Sequence, residues 1–304
     1  MENKISDFKL ISVSLMTILI FFTVYFFRYL PLNLFKISSL DYNLNIFYNI
    51  VSIILALSLS IMFFITYFKK NDKDLKERFK SIGIGLGVFG LYYFLPYLQS
   101  IPFNIYGLDA NELPLTFKII YLISFYSLLG ALIVLIYNKK VSNDFKDMRK
   151  NGIQYFNKYI KYWLLGIGVM MVSNLIIKLF IDPNLPSNEQ SIRDILEISP
   201  IYIFFSAVMY APIVEELVFR YSFKKIFNNK WVFIILSGLI FGGLHVFNGF
   251  ENLTDLLYII PYSAPGIAFA YMLQKSDNVF VPISFHFIHN GILVSLQFFL
   301  LIFG

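Results

Sequence analysis

The sequence contains no cysteine. Disulfides, thiolate metal sites and cysteine nucleophiles are excluded together, and the redox compartment leaves no trace in the chain. Charge is scarce as well: only 14% of the 304 residues are Asp, Glu, Lys or Arg, against roughly 25% in an ordinary soluble domain. Residues 10–27, 42–68 and 81–108 carry no charged side chain. Uncharged, mostly apolar runs of about 18 residues or more are long enough to cross a bilayer. A soluble enzyme, a disordered tail protein and a coiled coil are thereby excluded. The runs are continuously apolar rather than alternating, which also excludes a β-barrel.

What is present is a repeated apolar pattern. The expected fold class is all-α, a polytopic helical membrane protein of about nine transmembrane helices. The spans fall near 10–27, 44–68, 81–98, 119–138, 162–179, 200–227, 231–248, 253–274 and 279–303. The first run has no small-residue cleavage site and further spans follow it, so it reads as a retained helix rather than a signal peptide. Lys and Arg alternate strongly between the connections. With the N-terminus inside and the C-terminus outside, 20 of the 25 basic residues face the cytoplasm, as the positive-inside rule requires. The net charge of +6 is therefore a topology signal and not a nucleic-acid footprint. Within 144–161, Phe145, Met148, Phe156, Ile160 and Trp163 recur at roughly helical spacing among basic residues, predicting an interfacial amphipathic helix on the anionic leaflet. The connection 182–199, with Pro183, Pro186 and Pro200 at or beside it, predicts an irregular loop. The abundance of Ile, Asn, Lys, Phe and Tyr resembles the codon bias of an AT-rich, bacterial genome.

Away from the span ends, two acidic residues fall inside the predicted spans, and they are adjacent: Glu215 and Glu216, within Ala-Pro-Ile-Val-Glu-Glu-Leu-Val-Phe-Arg. A carboxylate in the hydrocarbon region is costly unless it is paired, protonated or facing a wet cavity, so it is a functional hypothesis by default. Arg220 lies four residues after Glu216 on the same helical face and can neutralise it. Glu215 is left about 100° around the helix with no local partner. The three histidines, His245, His286 and His289, all follow in the last spans. At about 1.5 Å of rise per residue, Glu215 and His245 each lie on the order of 20 Å from the tip of the connection that joins their helices. The same count from the next cytoplasmic connection puts Asn290 in that layer and His286 a turn nearer the cytoplasm. Phe241 precedes His245 by one turn. His289 lies off the face of His286 and reads as supporting or structural.

Several hydrolytic strategies are missing. There is no His-Glu-x-x-His run for a zinc peptidase helix, no pair of aspartates within the spans, and Ser237-Gly238 has Ile235 where a Gly-x-Ser-Gly motif needs glycine. A carboxylate buried without a partner is a stronger base than one in water and can take a proton from a water molecule. A histidine can hold the same water, and a second histidine with an Asn amide can donate to a developing oxyanion, each such donor contributing roughly a hundred- to a thousand-fold in rate. The same atoms could also bind zinc through Glu215, His245 and His286; residue types alone do not separate the two chemistries.

Glu215-Glu216-x-x-x-Arg220, Phe241-x-x-x-His245 and His286-x-x-x-Asn290, each on its own span, resemble the three-motif signature of the CPBP family, the CAAX-protease, bacteriocin-processing (Abi) and Rce1-related membrane peptidases. The resemblance covers about 200–295. It implies Glu215 as the water-activating base with His245 as its partner, His286 and Asn290 on the oxyanion side, and Glu216 and Arg220 holding the first motif in place. It divides the chain into an N-terminal membrane-helix region, 1–160, and a catalytic membrane core, 161–304. It implies an intramembrane endopeptidase in a bacterial cell membrane, with a wet cavity opening toward the cytoplasm. The substrate would be a membrane-associated peptide or protein. A metal-free glutamate route is favoured over zinc, and no nucleic-acid partner is expected. The rival from another class is a non-catalytic scaffold or bacteriocin-immunity protein that retains the motifs. A transporter with Glu215 as its proton site finds no inverted repeat to support it.

Overall fold

The computed structural model describes residues 73–304 apart from 110–111, 182–185, 228, 248–252 and 304, together with residues 13, 15–18 and 52. The first two expected spans lie almost wholly outside the described residues. The chain divides into two compact units, Met1–Lys80 and Ser81–Gly304. In the first, the side chain of Thr17 donates back to the carbonyl of Val13 at 2.7 Å, a turn-to-turn bond typical of helical threonine. The second carries all three motifs.

Among the described residues there are helices and no strands. We label them α1 Lys73–Phe94, α2 Ile101–Tyr106, α3 Leu115–Ile136, α4 Asn138–Phe180, α5 Ser187–Ile198, α6 Pro200–Ile226, α7 Lys230–Phe247, α8 Thr254–Ser276 and α9 Phe280–Phe303. Six are long and apolar enough to cross a membrane, and α1 with α2, bent by 47° around the turn that holds Pro96, makes a seventh candidate. These match the last seven expected spans. The outward faces of α3, α4 and α9 are rich in exposed Leu, Ile and Phe, which suits lipid contact.

Two expectations change. The amphipathic segment 144–161 is not a separate interfacial helix, because α4 runs unbroken for 43 residues. Trp163 of that stripe, with Tyr159, buries against Phe269, Met272 and Phe285, while Phe145 and Phe156 stay exposed at 50% and 40%. The connection 182–199 is not irregular throughout, since it holds α5. Ile192 and Leu196, four residues apart, pack on Ile203, Val208 and Val294. The prolines flank this helix rather than break it, Pro186 standing just before its first turn.

α8 is the central element, with Ala270, Met272 and Leu273 fully buried. α7 packs along it through Gly238 and Gly242. A Cβ on Gly238 would stand 2.9 Å from the backbone nitrogen of Ile267, and one on Gly242 would stand 2.7 Å from that of Ser263. The Gly-x-x-x-Gly spacing thus lets two backbones touch where any side chain would hold them apart. The start of α9 is fixed from α4: the Asp144 carboxylate accepts from the backbone nitrogen of Val279 at 2.7 Å. Asn278 donates to Asp147 at 2.7 Å, while its own side-chain oxygen accepts from Phe280 at 2.8 Å, capping the helix.

Candidate active site

α6 is not a uniform α-helix. Phe204–Tyr210 and Glu216–Tyr221 are π-helical, and such wide turns leave carbonyls without their usual partners. Side chains take them up. Asn290 of α9 donates to the carbonyl of Ala207 at 2.7 Å, Ser237 of α7 to Phe219 at 2.7 Å, and Ser222 to Leu217 at 2.9 Å. Pro212 between the two wide segments has no N–H to offer the ladder. The helix that carries both glutamates is therefore shaped by neighbours on α7 and α9.

Glu216 and Arg220 are fully buried. Glu216 accepts from His286 Nδ1 at 2.9 Å through one oxygen and faces Arg220 Nε at 3.4 Å through the other. The guanidinium also lies 4.0 Å from the centre of the Phe241 ring, an attractive cation–π placement. Gly266 leaves room for it: a Cβ there would stand 3.1 Å from Nη2. Neutralisation of the first motif is thus a network across α6, α7, α8 and α9 and not only the i,i+4 pair read from sequence. None of the Arg220 nitrogens makes a well-aligned hydrogen bond among the described residues, so Glu216 and the aromatic face are its compensation.

Glu215 is 8% exposed. It has no partner on its own helix, but the structure supplies one from outside the motif helices. Tyr92 of α1 donates its hydroxyl to Glu215 Oε1 at 3.2 Å. Tyr92 is held edge-on against Phe219 at 5.3 Å, and its neighbour Val88 joins Leu129, Ile133 and Leu217 in the main core. Helices that carry no motif therefore belong to the packing of the site. No sequence motif marks Tyr92, one of 21 tyrosines.

His286 sits closer to the carboxylates than depth counting placed it. Its Nε2 is 3.9 Å from Glu215 Oε2, and its ring stacks on Phe269 at 5.1 Å. A carboxylate can only accept from Nδ1, so that nitrogen carries the proton and Nε2 faces Glu215. His245 Nδ1 stands 2.9 Å from the carbonyl of Phe241. A carbonyl is likewise only an acceptor, so Nδ1 donates and Nε2 is left for the cavity. The His245 ring lies between Phe241 at 4.4 Å and Tyr262 at 5.3 Å. His289 is buried edge-on to Phe269.

Glu215, Phe241, His245, His286, His289 and Asn290 all line one cavity of about 470 Å³. Among the described residues no group of three His, Asp or Glu side chains is gathered as a metal site would require.

The cavity has a definite end. It extends past Tyr202 and Ser206 at the start of α6, Asn174 late in α4, Leu293 and Gln297 late in α9, and Asn188, Glu189 and Ser191 on α5. The connections between α6 and α7 and between α8 and α9 lie at the other end, where Lys140 and Lys224 meet Asp277. The C-terminal part of α9 is on the cavity side. An outside C-terminus and a mouth opening to the cytoplasm are therefore expectations that do not fit together, since the end of α9 lies on the cavity side. Depth counting could not reveal this, because it fixes distance from a loop and not the direction in which a cavity opens.

Residues 197–292 match the family described as type II CAAX prenyl endopeptidase Rce1-like. The chain is 28% identical over 227 residues to the membrane-embedded CAAX protease MroQ of Staphylococcus aureus, covering 69% of this chain and 86% of that protein. It is 28% identical over 141 residues to the putative membrane peptidase YdiL of Bacillus subtilis, covering 45% and 48%. The UPF0177 protein YvdC of Lactococcus lactis is 27% identical over 113 residues, 36% of this chain and 41% of that one. No solved structure matches. Every motif residue, from Glu215 to Asn290, falls inside the matched segment, whereas Tyr92 falls outside it. Residues 197–292 are accordingly similar to the Rce1-like CAAX endopeptidases, and the chain more widely to bacterial membrane proteases.

Proposed function

We propose that the protein is an intramembrane endopeptidase that hydrolyses a peptide bond of a membrane-associated peptide or protein, with Glu215 as general base. The observation that carries this is that Glu215 and His245 line one cavity, Glu215 Oε1 being engaged by Tyr92 and His245 Nδ1 by the Phe241 carbonyl. A water between them donates one hydrogen to the carboxylate and the other to the imidazole, leaving an oxygen lone pair for the scissile carbonyl. Glu215 takes the proton as the C–O bond forms and returns it to the amine when the C–N bond breaks. His286, held through Nδ1 by Glu216, stands on the oxyanion side with its Nε2 facing Glu215. Asn290 spends one N–H on Ala207 and keeps the second for the oxyanion.

Glu216, Arg220 and Phe241 are positioning residues, since they hold His286 and the α6 backbone rather than the water. The route needs no metal. Activity that survives exhaustive chelation supports it, while loss restored by added zinc supports a zinc-bound water instead.

The first test uses Glu215→Gln, which keeps the shape of the side chain and removes its capacity to take a proton. In membranes of cells carrying either form, a peptide should accumulate uncut with the variant alone, while the amount of inserted protein is unchanged. Equal cleavage by both forms would remove Glu215 from the chemistry. A biological effect retained without any cleavage would favour the scaffold or immunity reading.

A further inference from the structure

We infer that the cavity is entered from the extracytoplasmic side, so that the polypeptide cut there is a segment that has already crossed the membrane. That the segment is cut rests on the peptidase reading; the sidedness of the cavity does not. Five helices cross the same layer, and the four that carry Lys or Arg have most of them toward one end and their cavity residues toward the other. On α4, Lys139, Lys140, Lys146, Arg149 and Lys150 precede Asn174 by at least 24 positions, about 36 Å of helix. On α6, Tyr202 to Glu215 line the cavity while Lys224 and Lys225 close the far end. α7 begins at Lys230 and reaches the cavity only at Phe241 and His245, and α8 leaves it after Phe269 on the way to Lys275. α9 starts beside Asp144 and meets the cavity from His286 to Gln297.

The two ends differ in charge as well as in contents. Side chains tie the basic end into one surface: Lys140 and Lys224 reach Asp277, and Lys225 lies over Tyr221. Of the cavity end, Lys118, Lys178 and Arg193 are the basic residues on the helices, and Arg193 is paired with Glu189 at 2.7 Å. Glu189, Asp194 and Glu197 make α5 acidic in balance. A helix with this composition belongs at a water interface and not in hydrocarbon. Asn188, Glu189 and Ser191 of α5 border the cavity, so the cavity meets water where α5 does. Cytoplasmic loops carry the excess of Lys and Arg, which puts the Lys140–Lys224–Asp277 surface inside and α5 with the cavity mouth outside. A cytoplasmic protein tail would have to reach the cavity from the basic end, past the layer where Lys140 and Lys224 meet Asp277. A translocated segment meets the open one, so a transport or secretion step must precede cleavage.

The absence of cysteine makes the test clean. Ser191→Cys at the rim and Lys275→Cys at the basic end, both exposed positions, are labelled separately with a membrane-impermeant maleimide in intact cells and again after permeabilisation. The expected result is labelling of Ser191→Cys in intact cells at least tenfold above Lys275→Cys, with both labelled after permeabilisation. Labelling of Lys275→Cys alone in intact cells overturns the inference, as does equal labelling of the two. Because the readout is a thiol adduct, it is indifferent to catalysis. Repeating it in the Glu215→Gln background separates a wrong sidedness from a wrong base.

Discussion

At the scale of single residues, the site depends on which polar atoms are already committed. Glu216 is spent on His286 and Arg220, and that leaves Glu215 as the carboxylate turned toward the cavity. Arg220 illustrates the cost of such an arrangement: a fully buried guanidinium held by one carboxylate and an aromatic face is stable only while both are present, and breaking a buried pair by removing one partner typically costs about 3–5 kcal/mol. Tyr92 is the residue whose role is easiest to separate from folding. Tyr92→Phe keeps the ring packed on Phe219 and removes only the hydroxyl that orients Glu215. A hydrogen bond to a charged group contributes roughly 1.5–3 kcal/mol, so kcat should fall about tenfold or more while KM and thermal stability hold. A purely structural tyrosine would show the opposite split, with stability lost and the kcat of the surviving protein unchanged.

At the scale of elements, the two π-helical stretches of α6 and the glycine seam between α7 and α8 bring the motifs together. The wide turns free carbonyls that α7 and α9 bind through Ser237 and Asn290. The same contacts that satisfy the backbone therefore fix the register of the helices bearing His245 and His286. The seam sets the distance between α7 and α8. Gly242→Ala would press a methyl group to within 2.7 Å of the Ser263 backbone nitrogen, which only a shift of the helix axis can relieve. Overpacking of this kind typically costs about 1–3 kcal/mol. The variant should melt at lower temperature in detergent than the wild type. Its residual activity should also fall, since His245 moves with α7. Gly243→Ala on the same turn meets only the flexible ring of Phe247 and should be tolerated in the same melting assay.

At the scale of the whole molecule, the second unit is a bundle with two unlike ends, one basic, the other carrying α5 and the cavity. A reporter fused after Gly304 should read as extracytoplasmic, since the end of α9 lies on the cavity side. A cytoplasmic signal would turn the bundle over and bring the mouth to the cytoplasm with it.

Much of this was legible in the sequence. Continuous apolar runs announce membrane helices because the hydrocarbon core fixes their length. Glu215, Glu216 and Arg220 stand out because charge within such a run needs a reason. The motif spacings place His245, His286 and Asn290 on spans that can meet. Other features required the folded chain. Tyr92 looks like any membrane tyrosine until α1 packs against α6, and a hydrogen bond between residues 123 positions apart leaves no local periodicity. α5 was hidden by flanking prolines that mark a loop as readily as a helix start. The Gly238-x-x-x-Gly242 spacing is visible, but the backbone it admits is not. Local composition acts along the chain and so determined the helices, their polarity and the candidate chemistry. Which side chains meet in one cavity depends on how several helices converge, and only the tertiary packing decided it.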